Sequence, residues 1–244
     1  MNIIHISLRH ISLSLVLVSL ILSPLPSQAE NYATVIKVEN MILYRQGQKI
    51  IVGAHISTQA NQRLALRTDD GDVIALGENS QIRIKKASLF SQLFGKIYYL
   101  FKPRNEGQQN ANVQTVTATI GIRGTNFLVT STVEDQRDVI SLENGLLNVV
   151  SPDDQPFKVH KQKPLSEFEQ YQQEAEQGMA KIDQEFEDFK KQVNEEFIEY
   201  KLEVALSAGQ TLKIVGRDLY TVDLPDGQQE EIDAFKEFIG DVVQ

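Results

Sequence analysis

The chain has 244 residues, with 24 Lys/Arg, 33 Asp/Glu and a formal net charge of −9. It contains no cysteine, which excludes disulfides, thiol nucleophiles, thiolate metal sites and dithiol redox motifs. Charge is uneven: residues 30–163 carry 16 basic and 13 acidic side chains, residues 164–206 carry 4 and 12, and residues 207–244 carry 3 and 8. This acidic C-terminal part speaks against nucleic acid, whose phosphates need a basic surface, and against an anionic membrane face.

The first expected element is a processing signal over residues 1–29. Arg9 and His10 precede a 12-residue apolar run, Ile11–Leu22, and Pro24 and Pro26 lead into the small-x-small sequence Ser27-Gln28-Ala29. A membrane-spanning helix needs about 20 apolar residues, so the expectation is export with cleavage after Ala29 and a periplasmic location. The alternative is an uncleaved N-terminal segment anchored in the inner membrane. No cysteine follows the apolar run, which excludes a lipoprotein anchor.

Residues 30–163 read as one β domain. Leu64 and Leu66 alternate with Arg63, Ala65 and Arg67, and Ile82 and Ile84 alternate with Gln81, Arg83 and Lys85. Such alternation buries one face of a strand and wets the other. Asp70-Gly71, Gly77-Glu78-Asn79, Glu143-Asn144-Gly145 and Ser151–Asp154 supply turns between these runs. Many short strands with regular turns indicate a sandwich or roll. The aromatic-rich stretch Phe90–Phe101 reads either as a core strand or as an exposed platform for a glycan or protein. In the second case Phe94, Tyr98 and Tyr99 are candidate contacts.

Asp69, Asp70 and Asp72 cluster in one turn. Calcium would need further oxygen ligands at defined spacing, so a hairpin turn is the better reading. The run Gly121-Ile122-Arg123-Gly124-Thr125 lacks the spacing and following helix of a phosphate loop, because a strand, Phe127–Val129, comes next. Its glycines instead suit a bulge or bend with positive φ. His55 and His160 have no His or Cys neighbour at metal-ligand spacing, and no Gly-x-Ser-x-Gly elbow is present. Neither a catalytic site, nor a cofactor site, nor a metal site is expected.

At Pro164 the period changes. Leu165, Phe168, Gln172, Ala175, Met179, Ile182, Phe186, Phe189 and Val193 follow a three-four spacing, with Ser166 and Glu169 as a capping box. This predicts a long amphipathic helix over residues 164–206. Its stripe, with Met179, Phe186 and Phe189 as candidate contacts, would pack within the molecule or pair with a second copy in a homodimer. Residues 207–244 read as a small α+β tail: strands Thr211–Val215 and Leu219–Leu224, then an acidic helix Gln228–Val243 with Ile232, Phe235, Phe238, Ile239 and Val242 on one side.

Gly121-Ile122-Arg123-Gly124-Thr125-Asn126-Phe127 and the Asp70-Gly71 turn together resemble the FecR domain, over roughly Val52–Val150. In that family Gly-x-Arg-Gly-Thr-x-Phe is the recurring signature, and Asp-Gly-Ser commonly forms the turn where Asp72 stands in place of the serine here. The resemblance implies a mainly β, roll- or sandwich-like extracytoplasmic module, non-enzymatic, known from cell-envelope signalling. The roughly ten residues ahead of the apolar run are too few for a cytoplasmic anti-sigma region. The expectation is therefore a binding or signalling scaffold that contacts another envelope protein, the alternative being a structural or glycan-associated envelope protein.

Overall fold

The computed structural model describes residues 31–86, 88–103, 110–160 and 198–242. Their elements in chain order are β1 (Asn31–Glu39), β2 (Lys49–Ile51), β3 (His55–Ser57), β4 (Arg63–Thr68), β5 (Val73–Leu76), β6 (Gln81–Lys86), β7 (Leu89–Leu100), β8 (Ala111–Gln114), β9 (Thr119–Ile122), β10 (Asn126–Thr132), β11 (Arg137–Asn144), β12 (Leu146–Val150), β13 (Phe157–His160), β14 (Ile198–Lys201), β15 (Glu203–Ser207), β16 (Gln210–Val215), β17 (Asp218–Asp223) and the helix α1 (Asp226–Ile239). The strands form two open, mixed sheets that share β7. The larger sheet runs β2-β1-β4-β5-β7-β10-β11-β16-β17-β13-β14. The smaller runs β3-β6-β7-β8-β9-β12-β15. All pairings are antiparallel except β7–β8 and β13–β17.

Alternation explains how the layers meet. Leu64, Leu66, Ile74, Leu76, Ile97, Tyr99, Phe127 and Val129 from the larger sheet are buried with Ile56, Ile82, Ile84, Phe90, Val113, Ile120, Leu147 and Val149 from the smaller. The intervening residues Ala65, Val73, Ala75, Tyr98 and Leu128 point to the other face of the larger sheet and form a second core with Ile232, Phe235, Phe238 and Ile239 of α1. Two alanines at the centre of that face leave room for a helix. Leu224-Pro225 ends the preceding strand, and Asp226 in the first turn and Lys236 in the last complement the helix dipole.

Charge adds to the docking of α1. Lys96 pairs with Glu231, Lys37 Nζ lies 2.6 Å from Asp241, and Arg67 donates to the carbonyl of Val242. Arg63 and Lys37 also sit over the Phe238 ring, at 4.7 and 5.4 Å from its centroid. The acidic tail thus meets a basic rim on the chain's own β sheet. Lys236 Nζ donates to Glu143 at 2.6 Å, and Glu143 also accepts from the Tyr98 hydroxyl at 2.9 Å.

These pairs fix how stability responds to pH. The hydrogen bond from Lys37 holds the Asp241 carboxyl below its ordinary range, and that from Arg63 does the same for Glu39. Such groups stabilise above their unfolded pKa and lose that contribution as pH falls through the lowered folded value. The hydrogen bond to Glu143 raises Lys236, whose contribution is present below its unfolded pKa and is lost as pH rises through the folded one. Thermal melts followed by circular dichroism should therefore give a flat melting temperature at neutral pH and a decline below about pH 4. A melting temperature that holds level into strong acid would contradict these assignments.

One expectation is corrected. A long helix over residues 164–206 is not what the described residues of that span form. Ile198–Lys201 and Glu203–Ser207 are strands, paired with β13 and β12, and the single described helix is α1, with 14 residues. The three-four stripe ends at Val193, and beyond it, in Ile198-Glu199-Tyr200-Lys201 and Val204-Ala205-Leu206, alternation and β-branched or aromatic residues suit a ladder better. The tail strands β16 and β17 continue the larger sheet beside β11. Met179, Phe186 and Phe189, with the rest of 161–197, lie outside the described residues, as do residues 1–30.

Candidate functional site

The Gly-Ile-Arg-Gly-Thr run forms the corner where the chain passes from the smaller sheet to the larger. β9 ends at Ile122 and β10 begins at Asn126; between them Gly124 takes φ +66°. A Cβ on Gly124 would fall 2.7 Å from Cα of Pro103, so backbone packing as well as φ requires glycine. The neighbouring corner from β11 to β12 rests on the same place. Gly145 has φ +97°, and a Cβ there would meet the Thr125 methyl at 2.6 Å and the Gly124 carbonyl at 2.7 Å.

The Asp-Gly turn joins this corner through Phe101-Lys102-Pro103. Phe101 N–H donates to the Thr125 carbonyl at 2.9 Å, and Lys102 N–H donates to Oδ1 of Asp72 at 3.0 Å. Gly71, at φ +85°, lies against the Lys102 side chain. Two motifs about 50 residues apart in sequence thus hold the two sides of one segment. Asp72, at the position where the family commonly has serine, is fully buried and supplies one of the bonds. Phe127 is buried against Tyr99, with ring centroids 4.9 Å apart. Asp70 is exposed in its turn.

A further polar node braces the other end of β9. The buried carboxylate of Asp138 accepts from Thr115 Oγ1 at 2.6 Å, Thr117 N at 2.9 Å and Ser131 Oγ at 2.5 Å. It ties the turn before β9 to β10 and β11. Sequence reading missed it because a lone Asp within a strand carries no motif.

Within the signature run Arg123 is the side chain left exposed. It borders an open groove of about 460 Å³ on the outer face of the smaller sheet. Gly121 forms the floor, flanked across the ladder by Asn112 and Asn148, its register partners on β8 and β12. Leu146, 57% exposed, and Glu203 complete the rim. Having no side chain, Gly121 lets a ligand approach the backbone between two amides, each both donor and acceptor. The groove therefore offers hydrogen bonds, one cation, one carboxylate and an apolar ledge. Asn112 and Asn148 gave no sequence signal, since a polar residue on a solvated strand face is the ordinary case.

The aromatic stretch is a core strand, not a platform. Phe90 and Tyr99 are fully buried, Phe101 nearly so, and Tyr98, 1% exposed, stacks on Phe235 at 6.0 Å under α1. Burial, aided for Tyr98 by the acceptor Glu143, pushes both tyrosine hydroxyls well above their ordinary value. Phe94, 38% exposed at the sheet corner, is the one candidate contact of this stretch that reaches solvent. No group of His, Asp or Glu among the described residues is arranged to hold a metal ion.

Two crystal structures of a "putative anti-sigma factor from Parabacteroides distasonis ATCC 8503" are similar to this chain, each at 14% identity with a TM-score of 0.44. The match covers 70% of this chain and 59% of the other. No curated protein matches it in sequence. Residues 54–148 match the family model described as FecR protein. That span begins and ends within two residues of Val52–Val150 and contains the turn, the corner and Arg123, so the chain carries a FecR domain.

Proposed function

We propose that this protein is an exported, non-enzymatic signalling module that contacts another cell-envelope protein through the groove beside Arg123. The observation that carries this reading is the division of labour in the signature. Gly124, Thr125 and Phe127 are consumed by the corner and the core, whereas Arg123 projects beside a solvent-open groove. A cation on a rim steers and orients a partner more than it adds raw affinity. Paired amides above a glycine floor suit an extended polypeptide, whose backbone alternates donors and acceptors. A sugar ring would ordinarily seek an exposed aromatic face, and no aromatic side chain among the described residues lines this groove. The apolar run Ile11–Leu22 and the Ser27-Gln28-Ala29 site support export to the periplasm.

The test is in-cell crosslinking of a C-terminally tagged chain, followed by purification and mass spectrometry. The expected result is one membrane or envelope protein recovered with wild type and lost by tenfold or more with Arg123→Glu, a rim-charge effect of about 1.4 kcal/mol or more. The melting temperature of the variant should match wild type. Recovery of wall glycan instead, or equal recovery with the variant, would reject this reading.

A further inference from the structure

The end of the larger sheet carries a self-complementary strand edge. Among the described residues β14 pairs with β13 alone, in the register Phe157↔Lys201, Lys158↔Tyr200, Val159↔Glu199 and His160↔Ile198. Lys158 N–H donates to the carbonyl of Arg217 at 2.9 Å, so the peptide groups of Lys158 face β17 and those of Phe157 and Val159 face β14. Their partners Lys201 and Glu199 therefore spend their backbone groups on β13. Backbone direction alternates along a strand, which turns the N–H and C=O of Tyr200 outward from the sheet edge. Leu202, just beyond, already has its carbonyl bonded to Ser151 N–H at 2.9 Å, so the strand turns inward there.

Edges of this kind are templates for another strand, and proteins usually blunt them. The edge is not blunted by burial: Tyr200 is 65% exposed and Leu202 49%. Its charges then select the partner. In a two-fold antiparallel pairing centred on Tyr200, each Glu199 stands opposite the Lys201 of the other copy, twice over. Centring on Glu199 would oppose two carboxylates, and centring on Lys201 two ammonium groups, both unfavourable. The Tyr200-centred register is also the one in which the outward N–H and C=O of Tyr200 meet their counterparts as a doubly bonded pair. Glu199 and Lys201 already pair within one chain at 2.7 Å, an exposed contact of the kind that contributes little to stability.

We infer that β14 is a homodimerisation edge, joining two copies of this chain through Tyr200 into one continuous sheet. The pairing is short compared with the interfaces of permanent dimers, so association is weak and depends on concentration. This inference is independent of the groove beside Arg123.

Sedimentation velocity on the full chain over a wide concentration range tests it, with Glu199→Lys and Lys201→Glu as variants. Wild type should double in mass as concentration rises. Each variant alone places like charges opposite one another and should remain a monomer, with a circular dichroism melt like that of wild type. Mixed in equal amounts, the two variants again oppose opposite charges and should recover the dimer. A wild type that stays monomeric throughout overturns the inference, and is the outcome expected if another protein or another part of the chain occupies this edge. Variants that dimerise as wild type does, or a mixture that stays monomeric, overturn it as well.

Discussion

Gly95→Val is expected to lower the stability of this protein by about 4 kcal/mol or more, much of the 5–15 kcal/mol that a domain typically has. β7 belongs to both sheets: Leu89–Phe94 pairs with β6 and β8, and Gly95–Leu100 pairs with β5 and β10. Gly95 is the bend between the two halves, with φ +89°. A β-branched residue is strained there by about 1–3 kcal/mol before any contact is counted. Contact adds more, because a Cβ would lie 2.3 Å from Oγ and 2.4 Å from Cα of Ser80, and 2.5 Å from the carbonyl of Asn79. Ser80 cannot yield easily. Its N–H is bonded to Thr58 Oγ1 at 3.0 Å, and its hydroxyl accepts from Lys96 N–H at 3.0 Å and donates to the Lys96 carbonyl at 3.1 Å. Urea unfolding would measure the loss, and a midpoint equal to wild type would mean that the bend is not required.

Phe235→Ala should cost about 3 kcal/mol, near the lower end for emptying a buried aromatic site. The Phe235 ring stacks on Tyr98, and Ala65, Val73, Ala75 and Leu128 belong to the same buried cluster. The loss has a ceiling. An isolated helix of 14 residues is marginal in water, so once docking fails α1 melts and further damage costs nothing more. The expected signature is a lower unfolding midpoint together with loss of amide-exchange protection in α1 ahead of the β strands. Wild-type protection across Asp226–Ile239 would show that the helix is held by its ion pairs rather than by this ring.

How much of this was legible in the sequence depends on the element. The alternation at Leu64–Leu66 and Ile82–Ile84 specified strands and their inner faces, because a half-buried strand must repeat every two residues. The tail helix was legible for the matching reason: Ile232, Phe235, Phe238 and Ile239 recur at helical spacing and are all buried. The span 198–206 departs from the expected helix because its alternating stretch is short and follows a strong three-four stripe, and only pairing with β12 and β13 decides between the two periods. The candidate site was half legible. Gly121, Arg123 and Gly124 stood out as a motif, but the motif itself does not say that the glycine is consumed by Pro103 while the arginine borders a groove. Asn112 and Asn148 become neighbours of Gly121 only through register across three strands, which no local pattern encodes. Tyr98 and Tyr99, as adjacent residues of a strand, had to face opposite ways; that both are buried follows from α1 covering the outer face.

The most direct measurement on the function is photocrosslinking in cells with a photoreactive residue placed at Asn148, beside the Gly121 floor, and in a parallel strain at exposed Gln59, outside the groove. Capture of one envelope protein from position 148, absent from position 59 and abolished by Arg123→Glu, is the predicted result. Capture that is equal from both positions, or that survives Arg123→Glu undiminished, would contradict recognition through this groove.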